Sequence, residues 1–215
     1  MRMIVVGAPG AGKGTLAKRL AGERGLPHIA TGDILREAIR QGTPVGLQAR
    51  RFVESGGLVP DEVVIGLIEE RFSRPDTVRG WILDGFPRTV PQAEALDRLL
   101  ARLNQPVDAV LLLECPEEAL LERITGRRSC PACGTPYHVK NQKPRREGVC
   151  DRDGTPLVQR EDDTEAKVRL RLEKYRRETA AVIPFYERKG LVRRVDAAGA
   201  PDAVYRAAAA VLPPP

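Results

Sequence analysis

The sequence predicts an α/β fold in which helices cover a parallel β-sheet, and three observations support this prediction. Five short apolar runs alternate along the chain with longer segments of helical periodicity. Two of these runs, GWILDG (80–85) and VDAVLLLE (107–114), have the length and apolar character of strands that are buried on both faces. The 215 residues are enough for one α/β core with an insertion, but hardly for two full domains.

The elements follow one another in an order that indicates right-handed crossovers between parallel strands. The predicted strands are RMIVV (2–6), PHIA (27–30), GWILDG, VDAVLLLE and LVRRVDA (191–197). The predicted helices are 13–25, 31–42, 91–104, 116–127, one that begins near 164, and 202–212. Gly25 is expected to end the first helix, and Pro91 and Pro116 are typical of a first helical turn.

Two stretches interrupt this alternation and are expected to form appendages on the main domain. Residues 31–60 hold helical patterns broken by glycine and proline, and residues 128–160 are polar and rich in Cys, Pro, Gly and Arg. The predicted boundaries are 30–59 for the first subdomain, 126–163 for the second, and 1–29, 60–125 and 164–215 for the core.

Composition narrows the function classes. The net charge of +6 fits either a nucleic-acid surface or a pocket for polyanionic small molecules. Aromatic residues make up only 4% and do not alternate with basic ones, which favours the pocket. No apolar run approaches the roughly 20 residues of a membrane span, and the N-terminus lacks a secretory pattern. We therefore expect a cytoplasmic protein with neither a membrane nor a nucleic acid as its partner.

The glycine loop GAPGAGKGT (7–15) lies between a predicted strand and a predicted helix, where backbone N–H groups can surround a phosphate. Lys13 would reach the β- and γ-phosphates of a nucleotide. The usual phosphate loop has a hydroxyl directly after the lysine, whereas here Gly14 occupies that place and Thr15 follows. A direct hydroxyl ligand for Mg²⁺ is therefore missing, and the ion must be held in another way.

Further motifs extend the pattern, namely TGDILR (31–36), DGFPRT (84–89) with Gln92, GRR (126–128), and REDD (160–163) with Arg171. Together with the glycine loop, their order and spacing resemble the adenylate kinase family of nucleoside-monophosphate kinases, in its long-lid form, along essentially the whole chain. The resemblance implies a P-loop NTPase-type core with a five-stranded parallel sheet, an NMP-binding subdomain and a lid. It also implies reversible phosphoryl transfer from MgATP to AMP, giving two ADP.

Such a transfer brings many negative charges together, so a cluster of cations from separate segments is expected. The resemblance implies that Arg36 and Arg88 hold the α-phosphate of AMP. Lys13 and four further arginines would surround the transferred group and the ATP phosphates: Arg123, Arg127, Arg160 and Arg171. No side chain need act as a base, because the attacking phosphate oxygen is already anionic.

The resemblance also assigns the two nucleotide sites residue by residue. For ATP it implies Gly10, Ala11, Gly12, Lys13, Gly14, Thr15, Arg127, Pro136, Tyr137 and Gly199. For AMP it implies Thr31, Arg36, Gly57, Leu58, Val59, Gly85, Phe86, Pro87, Arg88, Gln92, Arg160 and Arg171, with Gln92 reading the adenine. It further suggests a cis peptide bond between Phe86 and Pro87.

Asp84 ends the run WILD, at the carboxyl edge of a predicted central strand, where ligands bind in open α/β sheets. A carboxylate at this place can hold Mg²⁺ through water. We therefore expect Asp84, together with the nucleotide phosphates, to replace the hydroxyl ligand that Gly14 lacks.

The lid contains the spacing C-x2-C-x16-C-x2-D, formed by Cys130, Cys133, Cys150 and Asp153. Paired cysteines two residues apart are typical of zinc knuckles, and zinc also accepts a carboxylate oxygen. Four protein ligands would leave no open position, so the site is predicted to be structural; a lid without metal is the alternative. His138 lies between the two ligand pairs and is expected to make an ordinary lid contact.

Alternative functions stay open at this point. Another monophosphate kinase, acting on UMP or CMP or using GTP as donor, would share most of the motifs. Thr31 is the residue that favours AMP, because the uridylate/cytidylate branch tends to have a smaller one. A zinc-ribbon protein that binds nucleic acid is a remote alternative, since it leaves DGFPRT and the glycine loop unexplained. The expected partners are ATP, AMP and ADP, and the expected state is a monomer.

Overall fold

The structure, a computed structural model, describes residues 1–55 and 57–213; Gly56, Pro214 and Pro215, which fall in the predicted NMP-binding subdomain and core, lie outside the described residues. The strands are β1 (Arg2–Gly7), β2 (His28–Ala30), β3 (Trp81–Asp84), β4 (Ala109–Glu114), β5 (Arg127–Ser129), β6 (Pro136–His138) and β7 (Val192–Asp196). The helices are α1 (Lys13–Arg24), α2 (Thr31–Arg40), α3 (Pro44–Glu54), α4 (Asp61–Phe72), α5 (Val90–Arg102), α6 (Glu117–Thr125), α7 (Glu165–Arg177), α8 (Val182–Glu187) and α9 (Pro201–Val211). Single 3-10 turns occur at Pro75–Thr77, Glu161–Asp163 and Thr179–Ala181.

The central sheet has five parallel strands in the order β2-β3-β1-β4-β7, which confirms the predicted fold class. Asp84 at the end of β3 pairs with Val5 of β1 on one side and with Ala30 of β2 on the other. Because parallel strands end at the same edge of a sheet, the segments that follow β1, β2 and β3 are neighbours. The glycine loop, the TGD motif and the DGFPRT motif therefore meet at this edge.

Apolar side chains cover both faces of the sheet. Met3 and Val5 of β1 point to one face, where they pack with α1, α6, α7 and α9. Ile4 and Val6 point to the other face, which is covered by α4, α5 and α8. Trp81 of β3 is fully buried on this second face, where its ring makes an edge-to-face contact with Phe72 and its indole N–H donates to Gln105 Oε1 at 3.2 Å. The two layers thus bury both faces of the sheet.

Helix α4 is an element that the sequence reasoning missed. Its segment DEVVIGLIEERF follows Pro60 and begins with Asp61 and Glu62, whose negative charges favour a helix start. Val64, Ile68 and Phe72 recur every four residues and are all buried. The sequence therefore contains a helical pattern in this segment. The glycines and prolines that precede it made the end of the inserted segment hard to recognise.

The two interruptions of the α/β alternation have different structures. The first consists of α2 and α3, which pack closely on each other and lie between β2 and α4. The second is built on the antiparallel hairpin β5–β6, which pairs Arg127 with His138. Its small core contains Cys130, Tyr137 and Cys150, packed against Leu157. Within the described part of the chain, none of the helices has the length and apolar content needed to cross a membrane.

Candidate active site

The glycine loop curves between the end of β1 and the first turn of α1. Gly10 and Gly12 adopt left-handed φ angles of 85° and 87°. A Cβ atom on Gly10 would lie 2.8 Å from the carbonyl oxygen of Leu120, so the loop can approach α6 this closely only with glycine there. No side chain caps the start of α1, whose first N–H groups are therefore left for an anion at the loop.

Lys13 lies at the first position of α1, and its side chain is folded back over the loop. The ammonium group donates hydrogen bonds to the carbonyl oxygens of Gly7 at 2.8 Å and Ala8 at 2.9 Å. Burial lowers the pKa of Lys13 to about 8; Asp84 opposes this shift, while nearby guanidinium groups add to it. The lysine thus has carbonyl partners but a cationic neighbourhood, a setting that an anionic ligand would stabilise.

Asp84, at the end of β3, lies beside Gly14 of the glycine loop. A Cβ atom on Gly14 would lie 3.3 Å from Asp84 Oδ2, so the missing side chain leaves room next to the carboxylate. The hydroxyl of Thr31 donates to the backbone oxygen of Asp84 at 3.2 Å. His28 Nε2 lies 3.4 Å from Asp84 Oδ2, a neighbour that the sequence reasoning missed because it becomes visible only once β2 is paired with β3.

Several arginines converge on the same cleft, and their pKa values reflect crowding by like charge. Burial and Arg171 lower the pKa of Arg88 to about 10, and burial, Arg36 and Arg127 lower the pKa of Arg160 to about 10. Arg88 Nε donates to the carbonyl oxygen of Gly85 at 2.8 Å, while Arg36 is paired with Asp33 at 2.6 Å. Gathering cations in this way raises the free energy of the unliganded protein unless an anion joins them.

The arginines at the base of the lid are instead paired with carboxylates. Arg127 donates two hydrogen bonds to the fully buried Asp163, at 2.8 and 2.5 Å. Arg171 lies 2.9 Å from an oxygen of Asp162 and 3.4 Å from one of Asp163. The acidic pair of REDD therefore fixes the positions of two of the predicted phosphate-binding arginines.

Arg123 takes a different position from the other predicted arginines. Its guanidinium donates to the carbonyl oxygens of Ala197, Ala198 and Gly199, at 2.7, 2.7 and 3.1 Å. These residues follow β7, so Arg123 lies next to Gly199, which was predicted to bind ATP. Its predicted contact with phosphate stays a prediction.

Two adjoining pockets open at the carboxyl edge of the sheet. One, of about 580 Å³, is lined by the glycine loop and Lys13, and the other, of about 640 Å³, by parts of α2 and α5. They share Leu58, Gly85, Arg88 and Arg171. The second pocket brings together most of the residues predicted for AMP: Thr31, Arg36, Gly57, Leu58, Val59, Gly85, Arg88, Gln92 and Arg171. Phe86 and Pro87, which line the first pocket, are joined by a cis peptide bond.

Asp61 is a further residue at this pocket that the sequence reasoning did not single out. It is the first residue of α4, and its carboxylate accepts a hydrogen bond from Gln92 Nε2 at 2.7 Å and one from the Thr89 hydroxyl at 2.9 Å. Gln92 is itself 2% exposed, and its Oε1 accepts the backbone N–H of Arg88 at 2.7 Å. The pairing joins residues 31 positions apart, so only the folded structure reveals it.

The lid brings the four predicted metal ligands together. One ligand atom from each of Cys130, Cys133, Cys150 and Asp153 lies within 4.8 Å of the others. Tetrahedral zinc with sulfur ligands at about 2.3 Å requires sulfur atoms about 3.8 Å apart. The Sγ atoms of Cys133 and Cys150 are 3.6 Å apart, and backbone N–H groups point at the sulfurs of Cys130 and Cys150. The donor set and its spacing therefore fit this ion.

Two neighbours of the ligand cluster have structural positions in the lid. Nδ1 of His138 accepts hydrogen bonds from the backbone N–H groups of Lys140 and Asn141. Nε2 is therefore left to donate to the carbonyl oxygen of Glu122 at 3.2 Å. Tyr137 is 6% exposed, and its hydroxyl accepts the N–H of Asp151 at 2.8 Å. Its side chain thus belongs to the small core of the lid, and its predicted place beside the ATP base stays a prediction, as does that of Pro136.

Comparisons with known proteins agree with these features. The family model described as adenylate kinase matches residues 5–191. A protein named adenylate kinase from Syntrophobacter fumaroxidans is 49% identical over 212 residues, covering 99% of this chain and all of the relative. Those from Thermodesulfovibrio yellowstonii and Moorella thermoacetica are 48% and 51% identical, and cover 99% and 95% of this chain and 99% and 94% of their own lengths. With the glycine loop, the arginine cluster and the five-stranded sheet in place, this chain belongs to the adenylate kinase family.

Proposed function

We propose that this protein catalyses the reversible transfer of the γ-phosphoryl group of MgATP to AMP, forming two ADP. The observation that carries the proposal is a cluster of cations, of which Lys13, Arg36, Arg88 and Arg171 line the two adjoining pockets. Arg127 and Arg160 lie near this group, since, beside burial, Arg127 lowers the pKa of Lys13 and Arg36 lowers that of Arg160. Such a cluster matches two polyphosphates held end to end, and the names of the relatives point to the same reaction.

In this proposal Arg36 and Arg88 bind the α-phosphate of AMP, and Lys13 leaves its carbonyl partners for the β- and γ-phosphates of ATP. Arg127, Arg160 and Arg171 surround the transferred group, and Arg123 approaches the ATP phosphates. The residues act by positioning and by neutralising charge, since an AMP phosphate oxygen attacks without prior deprotonation. The loop residues Gly10, Ala11, Gly12, Gly14 and Thr15 supply backbone and hydroxyl donors to ATP.

Asp84 is proposed to hold the Mg²⁺ that accompanies ATP, through water. The space beside its carboxylate, which a side chain on Gly14 would fill, supports this assignment. When bound, the ion neutralises phosphate charge and so favours the transfer. Thr31 and Gln92 read the adenine of AMP, while Gly57, Leu58, Val59, Gly85, Phe86 and Pro87 border the nucleotide.

We also propose that segments 30–59 and 126–163 move as an NMP-binding subdomain and a lid against a core of 1–29, 60–125 and 164–215. Closure would bring the lid arginines to the phosphates and exclude water, which prevents hydrolysis of ATP. In the lid, Cys130, Cys133, Cys150 and Asp153 hold a structural zinc ion, and Pro136, Tyr137 and Gly199 border the ATP base. The protein is proposed to act as a monomer in the cytoplasm, without a nucleic-acid or membrane partner.

The test is a phosphorylation panel of AMP, CMP, UMP and GMP with MgATP, repeated with MgGTP as the donor. We expect AMP and ATP to be strongly preferred. Lys13→Met should lower turnover by at least about a hundredfold, because a charge at the transferring group is lost. Lys18→Met, on the exposed side of the same helix, serves as the matched control. Preference for a pyrimidine monophosphate, or for GTP, would overturn the assignment.

A further inference from the structure

We propose that Asp61 is a positioning residue that fixes the orientation of the Gln92 carboxamide and thereby sets the preference for adenine over 6-oxopurines. The inference rests on the proposed reading of adenine by Gln92. It adds a residue that touches no nucleotide itself and acts through the hydrogen bonds of a neighbour.

The first step concerns which way the carboxamide faces. Gln92 Nε2 donates to Asp61 Oδ1 at 2.7 Å, and Gln92 Oε1 accepts the backbone N–H of Arg88 at 2.7 Å. Rotating the amide by half a turn would place its oxygen against a carboxylate and its NH₂ against an N–H group. Both contacts would become repulsive, so the chemistry of the partners allows one orientation.

The second step concerns what remains for a ligand. A carboxamide has two N–H donors and two acceptor lone pairs, and these contacts use one of each. One N–H and one lone pair of Gln92, which lines the pocket, are left. Adenine offers an amino donor beside a ring-nitrogen acceptor, which matches a carboxamide held in a fixed orientation. A 6-oxopurine presents the opposite order, an oxygen acceptor beside an N–H donor, and would require the reversed amide.

The third step is that Asp61 is itself held firmly. Its second oxygen accepts the hydroxyl of Thr89, and that hydroxyl also accepts the N–H of Gln92 at the start of α5. The carboxylate therefore joins the first turns of α4 and α5. Only Pro60 separates it from Gly57, Leu58 and Val59, which line the same pocket as Gln92. Asp61 thus lies where one group can orient Gln92 relative to the wall of the base pocket.

The experiment compares AMP and IMP as acceptors for the unaltered protein, for Asp61→Ala, for Gln92→Ala and for the double variant. Asp61→Ala should raise KM for AMP and reduce the AMP/IMP ratio of kcat/KM by about tenfold, with kcat for AMP little changed. In the Gln92→Ala background the same substitution should have no further effect on this ratio, because Asp61 acts through Gln92.

Two controls separate orientation from general stability. Glu62→Ala removes an exposed carboxylate one position along the same helix and should leave the ratio unchanged. Thr89→Ala removes the α5 cap and the second bond of Asp61 but leaves the bond from Asp61 to Gln92; it should lower the melting temperature and reduce the AMP/IMP ratio less than Asp61→Ala does. Equal losses for AMP and IMP in Asp61→Ala, or the same loss in the Gln92→Ala background, would overturn the inference. If the unaltered protein does not phosphorylate AMP, the proposed function fails instead.

Discussion

The core and the lid border the same cleft, yet different forces hold them together. The core buries continuous layers of apolar side chains on both faces of a five-stranded sheet. The lid buries little apolar surface, and its small cluster consists of Cys130, Tyr137 and Cys150 with Leu157. The core therefore has its own hydrophobic driving force, whereas in the lid the proposed zinc ion would supply much of the folding free energy.

The two regions also balance their positive charges differently. In the core, Lys13 and Arg88 rest on backbone carbonyl oxygens. Where the lid joins the core, Arg127 of the lid and Arg171 of α7 are paired with the carboxylates of Asp162 and Asp163. Carboxylates thus offset the charges of Arg127 and Arg171, while Lys13 and Arg88 have more to gain from a phosphate. Four experiments test this contrast, from the largest expected effect to the smallest.

The largest effect is expected on removal of the zinc ion that is proposed for the lid. Chelation or Cys130→Ser should remove the protection of lid amides against hydrogen exchange. Examples are the hydrogen bonds from Cys130 N to Thr135 O and from Cys150 N to Thr155 O. Structural zinc contributes on the order of 10 kcal/mol in small domains, so protection should fall by orders of magnitude. Exchange measured by mass spectrometry, with the zinc content determined in parallel, checks this.

The amides of β1 and β4 should remain protected in the same experiment. Cys115→Ser is the matched control, since this cysteine lies outside the ligand cluster and should leave the zinc content unchanged. A lid that keeps its protection after verified removal of the ion would contradict the contrast between the regions.

The second effect concerns the core. Leu111→Ala removes a fully buried side chain from the sheet and should lower the free energy of unfolding by about 3 kcal/mol. For a chain of this size the melting temperature should fall by about 10 °C in calorimetry. Leu170→Ala, at a position that is 38% exposed, is the control and should change little. A loss below about 1 kcal/mol for Leu111→Ala would show that the sheet is not the main source of stability.

The third effect is a pH dependence of ATP binding. The pKa of Lys13 is lowered from 10.5 to about 8, so the folded protein loses this charge as the pH rises through about 8. If only the charged form binds ATP, the Kd should rise roughly tenfold between pH 7.5 and pH 9. Lys13→Arg should remove the dependence, because arginine stays charged, whereas Lys18→Arg should retain it. Calorimetric titration measures both, and an unchanged Kd in the unaltered protein would refute the role of this charge.

A rise in pH is expected to have opposite effects on the stability of the protein and on its affinity for ATP. Between about pH 8 and 10.5 the unfolded chain still carries the lysine proton while the folded protein does not. The unfolded state therefore binds more protons, and the contribution of this group to stability rises with pH in that window.

The smallest effect is expected at Tyr186. Its ring is fully buried, and its hydroxyl has no hydrogen-bond partner among the residues that the structure describes. Removing an unsatisfied buried hydroxyl with Tyr186→Phe should raise the free energy of unfolding by about 1 kcal/mol or leave it unchanged. Tyr205→Phe, at an exposed hydroxyl that contacts Glu23, is the comparison. A clear loss of stability in Tyr186→Phe would mean that the hydroxyl has a partner in solution.

Much of this architecture could be predicted from local patterns. The strands of the sheet are short apolar runs, and the glycine loop lies between a strand and a helix, so sequence order alone indicated both. The spacing of the ligands similarly predicted that Cys130, Cys133, Cys150 and Asp153 lie close together, as they do. These features depend on residues that are near in sequence or on the ends of parallel strands, where simple geometry applies.

The remaining features depend on contacts between distant segments. Asp61 meets Gln92 only because α4 and α5 pack side by side, and His28 meets Asp84 only because β2 pairs with β3. The position of Arg123 on the carbonyl oxygens after β7 depends on its rotamer. No periodicity in the sequence encodes such pairings, because each is selected by the packing of the whole core.

The only tryptophan of the chain offers a way to follow the core separately from the lid. Trp81 begins the strand that ends at Asp84, and it is buried between Phe72 and Gln105. Its fluorescence should therefore report on the core strand that ends at Asp84. We therefore expect an optical unfolding curve of this protein to follow the sheet. Trp81 can thus serve as an optical reporter of the core.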